Sequence, residues 1–215
     1  MILKKINQNY YIVVFVIYFM ARTKKIERQV DDKTILDRFA ESFCNIVEKH
    51  VKYFVCSGFV VIAHGRTRGT EDIDMIIEKI SKEKFIKLHE DLIKNNFVCV
   101  QTDNPNSIYD DYLKTNVSVR YVVKDNDFFP PEMEIKFAKD ELDDEQIKTR
   151  TKLPLTGLDI YFSSIESNIA FKEEYLKSQK DIEDAKHLRI IYEGKFDENK
   201  INLIKKEIKK LRSLK

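Results

Sequence analysis

The chain has 215 residues, a length that suits one domain or one domain with an appendage. It is 43 % hydrophobic and 34 % charged, so a core is affordable, and its formal net charge of +2 gives no overall case for nucleic acid as partner. Cys44, Cys56 and Cys99 are scattered without metal-ligand spacing, which excludes a zinc site and reads as buried thiols in a reducing cytosol.

Tyr10 to Met20 is an unbroken apolar run behind Lys4 and Lys5. It lacks the small-residue chemistry of a signal-peptide cleavage site and is shorter than the roughly 20 residues that span a bilayer. Met20 is followed by Ala21-Arg22-Thr23-Lys24-Lys25, a plausible soluble N-terminus. Residues 1–19 therefore read as a loose extension or a mis-assigned start.

From Asp31 to His50 the apolar positions Ile35, Leu36, Phe39, Phe43, Ile46 and Val47 recur at helical spacing, with Asp31 or Asp32 as N-cap. Tyr53–Cys56 reads as a strand leading to Ser57-Gly58, where glycine lets the backbone bend and approach a ligand. Phe59 to His64 reads as a short helix ended by Gly65. The strand Asp72–Glu78 opens on Asp72-Ile73-Asp74. In a strand, residues two apart share a face, roughly 6.6 Å from one another. Two carboxylates so placed repel unless a cation or a proton joins them, and Mg²⁺ takes one or two carboxylates plus substrate phosphates.

A helix follows over Ser81 to Asn95, with Phe85, Leu88, Leu92 and Ile93 inward, then strands at Phe97–Val100 and Val117–Val123 around a short helix at Ile108–Leu113. Glu132 to Ala138 alternates strictly: Met133, Ile135 and Phe137 face a core, and Glu132, Glu134 and Lys136 share the other face. Asp143–Lys152 is a polar helix or loop, and Leu158–Phe162 a last strand. Ser163 with Glu166 has capping-box spacing and opens a helix to about Lys177. Further helices run from about Lys180 to Tyr192 and from Asp197 to Arg212. Composition shifts at about 163 from mixed strand and helix to helix alone. This divides the chain into residues 20–162, of mixed strand and helix, and 163–215, a helical part packed on it.

The stretch Arg68-Gly69-Thr70-Glu71-Asp72-Ile73-Asp74, after a glycine turn and a short helix, resembles the signature of the nucleotidyltransferase superfamily. Arg66 and Arg68 before Thr70 give it the look of the minimal, AbiEii-toxin-like branch. The C-terminal helices are similar to that branch too: Lys172 lies in one helix and Lys180-Asp181-Ile182-Glu183-Asp184 opens the next. One departure is visible, in that the turn is Ser57-Gly58 followed by Phe59.

The resemblance implies an α/β (α+β) fold, a mixed β-sheet flanked by helices with a helical C-terminal part. It implies Mg-dependent transfer of a nucleoside monophosphate from an NTP to an acceptor hydroxyl on RNA, protein or a small molecule. Asp72 and Asp74 would be catalytic and hold magnesium, with Glu134 as third carboxylate, Glu132 as second candidate and two ions in all. Ser57, Gly58, Arg66, Arg68, Thr70, Lys172, Lys180, Asp181 and Asp184 would serve the nucleotide. It further implies a cytoplasmic, toxin-like protein with a cognate antitoxin and no stable membrane association. The rival reading is a non-catalytic nucleotide- or RNA-binding protein on the same fold. Eight basic against three acidic residues between Lys195 and Lys215 would offer it a phosphate-contacting surface.

Overall fold

The computed structural model describes residues 33–69, 72–124 and 131–213. A mixed seven-stranded sheet organises them, with strands β1 (Tyr53–Cys56), β2 (Asp72–Ile77), β3 (Phe97–Cys99), β4 (Val119–Val123), β5 (Glu132–Phe137), β6 (Thr151–Lys152) and β7 (Tyr161–Phe162) in the order β3-β4-β5-β2-β1-β7-β6. β2 lies between β1, antiparallel to it, and β5, parallel to it. The three strands expected to share the site are thus consecutive in the sheet.

Alternation along these strands sorts the side chains. Ile73, Met75 and Ile77 of β2 and Met133, Ile135 and Phe137 of β5 enter the main core. There they meet α1 (Ile35–Val47), α2 (Gly58–Ala63) and α3 (Lys82–Lys94). Phe43 of α1 stands at the centre of an aromatic group, its ring 5.0 Å from that of Phe97 and 5.7 Å from that of Tyr121. The opposite face is polar at one end. At the other it carries a small apolar cluster of Phe54, Ile76 and Ala138, closed by Ile147 of α4 (Glu141–Thr149).

The C-terminal part is helical, as expected. α5 (Ile165–Ala170) runs into a π-helical turn, Phe171–Leu176, and is followed by α6 (Gln179–Ile191) and α7 (Glu198–Ser213). α6 docks on α2 through a histidine pair of contacts. His64 Nδ1 donates to the Val60 carbonyl at 2.6 Å, which leaves Nε2 to accept from the Tyr192 hydroxyl at 2.7 Å. Burial lowers the pKa of His64 and keeps this neutral tautomer.

Several boundaries differ from the sequence reading. Asp31 and Asp32 lie outside the described residues, and α1 is capped instead by Thr34, reciprocally with Asp37. α5 is capped by Ser164, not Ser163, because the Ser163 hydroxyl and carbonyl are engaged by Asn168 Nδ2 at 2.8 and 3.0 Å. Ile93 is exposed and His89 takes the inward position, where its Nδ1 is 2.8 Å from the Tyr121 hydroxyl. The last predicted strand shrinks to Tyr161–Phe162 and pairs with Thr151–Lys152, which periodicity over two residues does not reveal. Among the described residues no helix is long and apolar enough to cross a membrane.

Phe43→Ala should cost about 3–5 kcal/mol, the range for deleting a buried aromatic ring, read from the shift of the denaturant midpoint. Exposed Ile35→Ala on the same helix should cost far less.

Candidate active site

The sheet register assembles the acidic face. Asp72 is opposite Glu132 and Asp74 opposite Glu134 on the parallel neighbour, while Cys56 of β1 flanks Asp74 on its other side. Asp72 is exposed and Asp74 half-buried. Burial pushes the Asp74 carboxyl up from its ordinary range. Lys136 and a hydrogen bond with Ser57 pull it down, and Glu134 and Asp72 push it up again. The neighbouring Cys56 thiol is pushed up to about 12, chiefly by burial, and stays protonated.

Two residues that the sequence reading left out of the site belong to this strip. Lys136 shares its face, and its positive charge lowers the Asp74 pKa. Arg120 of β4 is opposite Glu134, and its Nε lies 3.6 Å from the Glu134 carboxylate and 3.5 Å from that of Glu132. The signal for Arg120 was its position inside an alternating strand, which becomes informative only once β4 is known to pair with β5.

The turn before α2 holds its strain at an unexpected residue. Ser57 adopts φ 62° and ψ −131°, a region that glycine enters far more readily. Its hydroxyl lowers the pKa of the neighbouring Asp74. Gly58 itself has ordinary helical backbone. Its lack of a side chain serves another purpose, since a Cβ there would lie 3.3 Å from Arg68 Cζ. The close approach predicted for a ligand is thus made by an arginine of the chain.

Arg68 is directed there by Asp184 of α6, 116 residues later. The Asp184 carboxylate is fully buried and meets three cations: Arg68, Arg66 at 3.1 Å and Lys172 at 2.9 Å. Arg66 also reaches Glu183 at 2.9 Å. The Arg66 contact falls within ion-pair distance of Oδ1, yet that oxygen and Arg68 Nε make no hydrogen bond of good geometry. Lys172, expected to face phosphates, is 1 % exposed and gives its ammonium to Asp184, with Asp181 3.9 Å away. Lys180 is exposed, 3.5 Å from the Gly69 carbonyl, and Asp181 turns to Ser178 at the start of α6. Thr70 lies outside the described residues.

The basic C-terminal helix is partly neutralised from within. Lys200, Lys205 and Lys209 pair with Glu166, Glu173 and Glu174.

Asp72 and Asp74 fit a magnesium ion that takes one or two carboxylates and draws its remaining oxygens from phosphate and water. Burial raises the pKa of Asp74, and a cation bound beside it would favour its charged form. A third carboxylate is less well disposed: Glu134 stands beside Asp74 but is engaged with Arg120. Among the described residues no group of three or more His, Cys, Asp and Glu is arranged to hold a metal.

No protein-family model and no curated protein matches the chain. Solved structures do resemble it. One is the solution structure of the antibiotic-resistance factor ANT(2'')-Ia, at 11 % identity and TM-score 0.46, covering 83 % of this chain and 93 % of that one. The crystal structure of ANT(2'')-Ia in complex with adenylyl-2''-tobramycin is another, at 13 % identity and TM-score 0.49, covering 84 % and 99 %. A third is an antigenic nucleotidyltransferase-like protein from Paracoccidioides brasiliensis, at 14 % identity and TM-score 0.47, covering 83 % and 88 %. At such identities the likeness is one of fold, and none of the three scores reaches 0.5.

Asp184→Asn should destabilise the protein by about 3–5 kcal/mol, because it leaves buried cations without their anion. In a double-mutant cycle read by denaturant unfolding, Asp184→Asn with Lys172→Met should cost less than the two single losses added. Additive losses would mean that the buried pair is not formed.

Asp74 gives a pH dependence of defined sign. Its folded pKa lies above the ordinary 3.8, so at lower pH the carboxyl is neutral in both states and its burial is tolerated. As pH rises through the raised folded value, the native state must bury a charge and stability falls. In metal-free buffer, the stability of Asp74→Asn relative to wild type should therefore be lowest in acid and climb to a plateau at neutral pH. A flat difference across that range would contradict it.

Proposed function

We propose that the chain is a nucleotidyltransferase that moves a nucleoside monophosphate from an NTP to an acceptor hydroxyl and releases pyrophosphate. The observation that carries this reading is the register of β1, β2 and β5. It sets Asp72 and Asp74 beside Glu134 and next to the Ser57-Gly58 turn, against which Arg68 is pressed. Negative and positive groups thus flank one turn, an arrangement suited to a metal-bound triphosphate.

Nucleotidyl transfer depends on positioning and charge neutralisation more than on covalent help. Asp72 and Asp74 would hold one magnesium ion, which when bound offsets the charge of the phosphates and polarises the phosphorus centre. Arg68 and Arg66, held in place by Asp184, would neutralise phosphate oxygens at the Gly58 turn. Lys172 supports them from beneath by sharing Asp184, and Lys180 stands at the solvent edge of the same cluster. The acceptor oxygen bonds to the α-phosphorus as the bond from that phosphorus to the β-phosphate oxygen breaks. Its proton passes to Glu134 once that carboxylate leaves Arg120, or to water. The donors as they stand suit one ion and not two.

The engagement of Glu134 by Arg120 favours a second reading, an NTP-binding protein without turnover. Pyrophosphate release from NTP with magnesium separates the two. Wild type should release it, and Asp72→Asn or Asp74→Asn should lower the rate more than about 100-fold while the protein stays folded. NTP binding with no pyrophosphate from wild type across RNA, protein and small-molecule acceptors would favour the second reading.

A further inference from the structure

The polar face continues beyond the acidic pair. From Ser57 and Lys136 a cavity of about 110 Å³ passes α4 to reach Lys139, Phe171 and Tyr175. The same three residues line a wider outer pocket of about 320 Å³, whose floor is Leu142, Ile208 and Leu211 and whose rim includes Arg212. That volume falls at the lower end of pockets that take small molecules. The inner end is next to the acidic pair, since Cys56, which lines it, is opposite Asp74 in the sheet.

Along the rim two cations, Lys139 and Arg212, face one carboxylate, Asp140. Lys139 Nζ lies 5.4 Å and Arg212 Cζ 4.9 Å from the centre of the Tyr175 ring. Arg212 donates to the neutral Glu174 carbonyl at 3.3 Å, whereas Lys200, Lys205 and Lys209 of the same helix each meet a glutamate. Asp140 also lines the pocket, but its carboxylate caps α4 by accepting from the Asp143 N–H at 3.2 Å. Both cations rest on the neutral Tyr175 ring, which leaves their charge for an anion in the pocket. The apolar floor beneath them favours a flat ring over a bare phosphate or sulfate.

We propose that this pocket is the acceptor subsite, and that the acceptor carries an anionic group on an aromatic ring. The inference rests on the nucleotidyl-transfer reading. The anion would sit between Lys139 and Arg212, the ring over Leu142 and Leu211, and the hydroxyl in the inner cavity toward Asp74. There its oxygen takes the nucleoside monophosphate, pyrophosphate leaves, and the proton departs as described above.

The test uses p-hydroxymethylphenyl phosphate as probe. By calorimetry it should bind wild type at one saturable site, more tightly than benzyl alcohol or inorganic phosphate. The double variant Lys139→Gln/Arg212→Gln changes exposed side chains and should melt like wild type, yet bind the probe at least about tenfold more weakly. Asp72→Asn should bind it as wild type does. With magnesium and α-labelled NTP, wild type should label the probe and the double variant should do so at least about tenfold more slowly. Equal probe affinity in wild type and the double variant overturns the proposal. So does pyrophosphate release by wild type that bound probe neither accelerates nor slows. If wild type releases no pyrophosphate under any condition while the probe binds as expected, the nucleotidyl-transfer reading fails and the acceptor role falls with it.

Discussion

A single buried carboxylate, Asp184, holds the candidate site in its geometry. It lies under the glycine turn and meets Arg66, Arg68 and Lys172 together. Three cations around one anion leave a surplus of positive charge, which Glu183 on Arg66 and Asp181 near Lys172 balance from the periphery. Such a cluster is not a cheap source of stability, because each ion gives up water to enter it. Its effect is directional: Arg68 is drawn from a loop onto Gly58, where no side chain stands in the way, and Arg66 is held on the same carboxylate.

The sheet performs the complementary task for the acids. Parallel pairing of β2 with β5 brings two Asp-and-Glu pairs into line, and antiparallel pairing of β5 with β4 brings Arg120 onto them. Lys136 and Ser57 temper Asp74 from the remaining sides. A negative strip fixed by backbone register and a positive cluster fixed by a distant helix meet at Ser57-Gly58. The strained serine belongs to both, since its backbone shapes the turn and it follows Cys56, the register partner of Asp74.

Much of this was legible in the residues. The alternation of Glu132–Phe137 and the Asp72-Ile73-Asp74 triplet reported their own faces, because a period of two leaves little choice. α1 and α3 were clear as helices from their apolar stripes, although Ile35 and Ile93 at the edges of those stripes are exposed. What stayed hidden was set by partners far along the chain. Arg120 looked like any exposed strand residue until its neighbour was known. Lys172 looked like a free point charge, since nothing near it in sequence announces burial against Asp184. The two-residue strand β6 is too short to show a period, and Ser164 displaced Ser163 as cap because Asn168 had a competing use for the latter. The outer pocket draws on α4, the π-helical turn and α7, segments that show no common pattern until they are packed together.

The distance along the chain between Arg68 and Asp184, 116 residues, also orders events in time. During synthesis the acidic strands and the glycine turn emerge first, and their pairing requires nothing beyond β5. The arginines have no anchor until α6 has left the ribosome and docked on α2. Loop closure over so long a span is slow compared with local pairing. A partly made chain therefore carries the acids in place and the cations adrift, and the buried ion cluster closes as one of the last steps of folding.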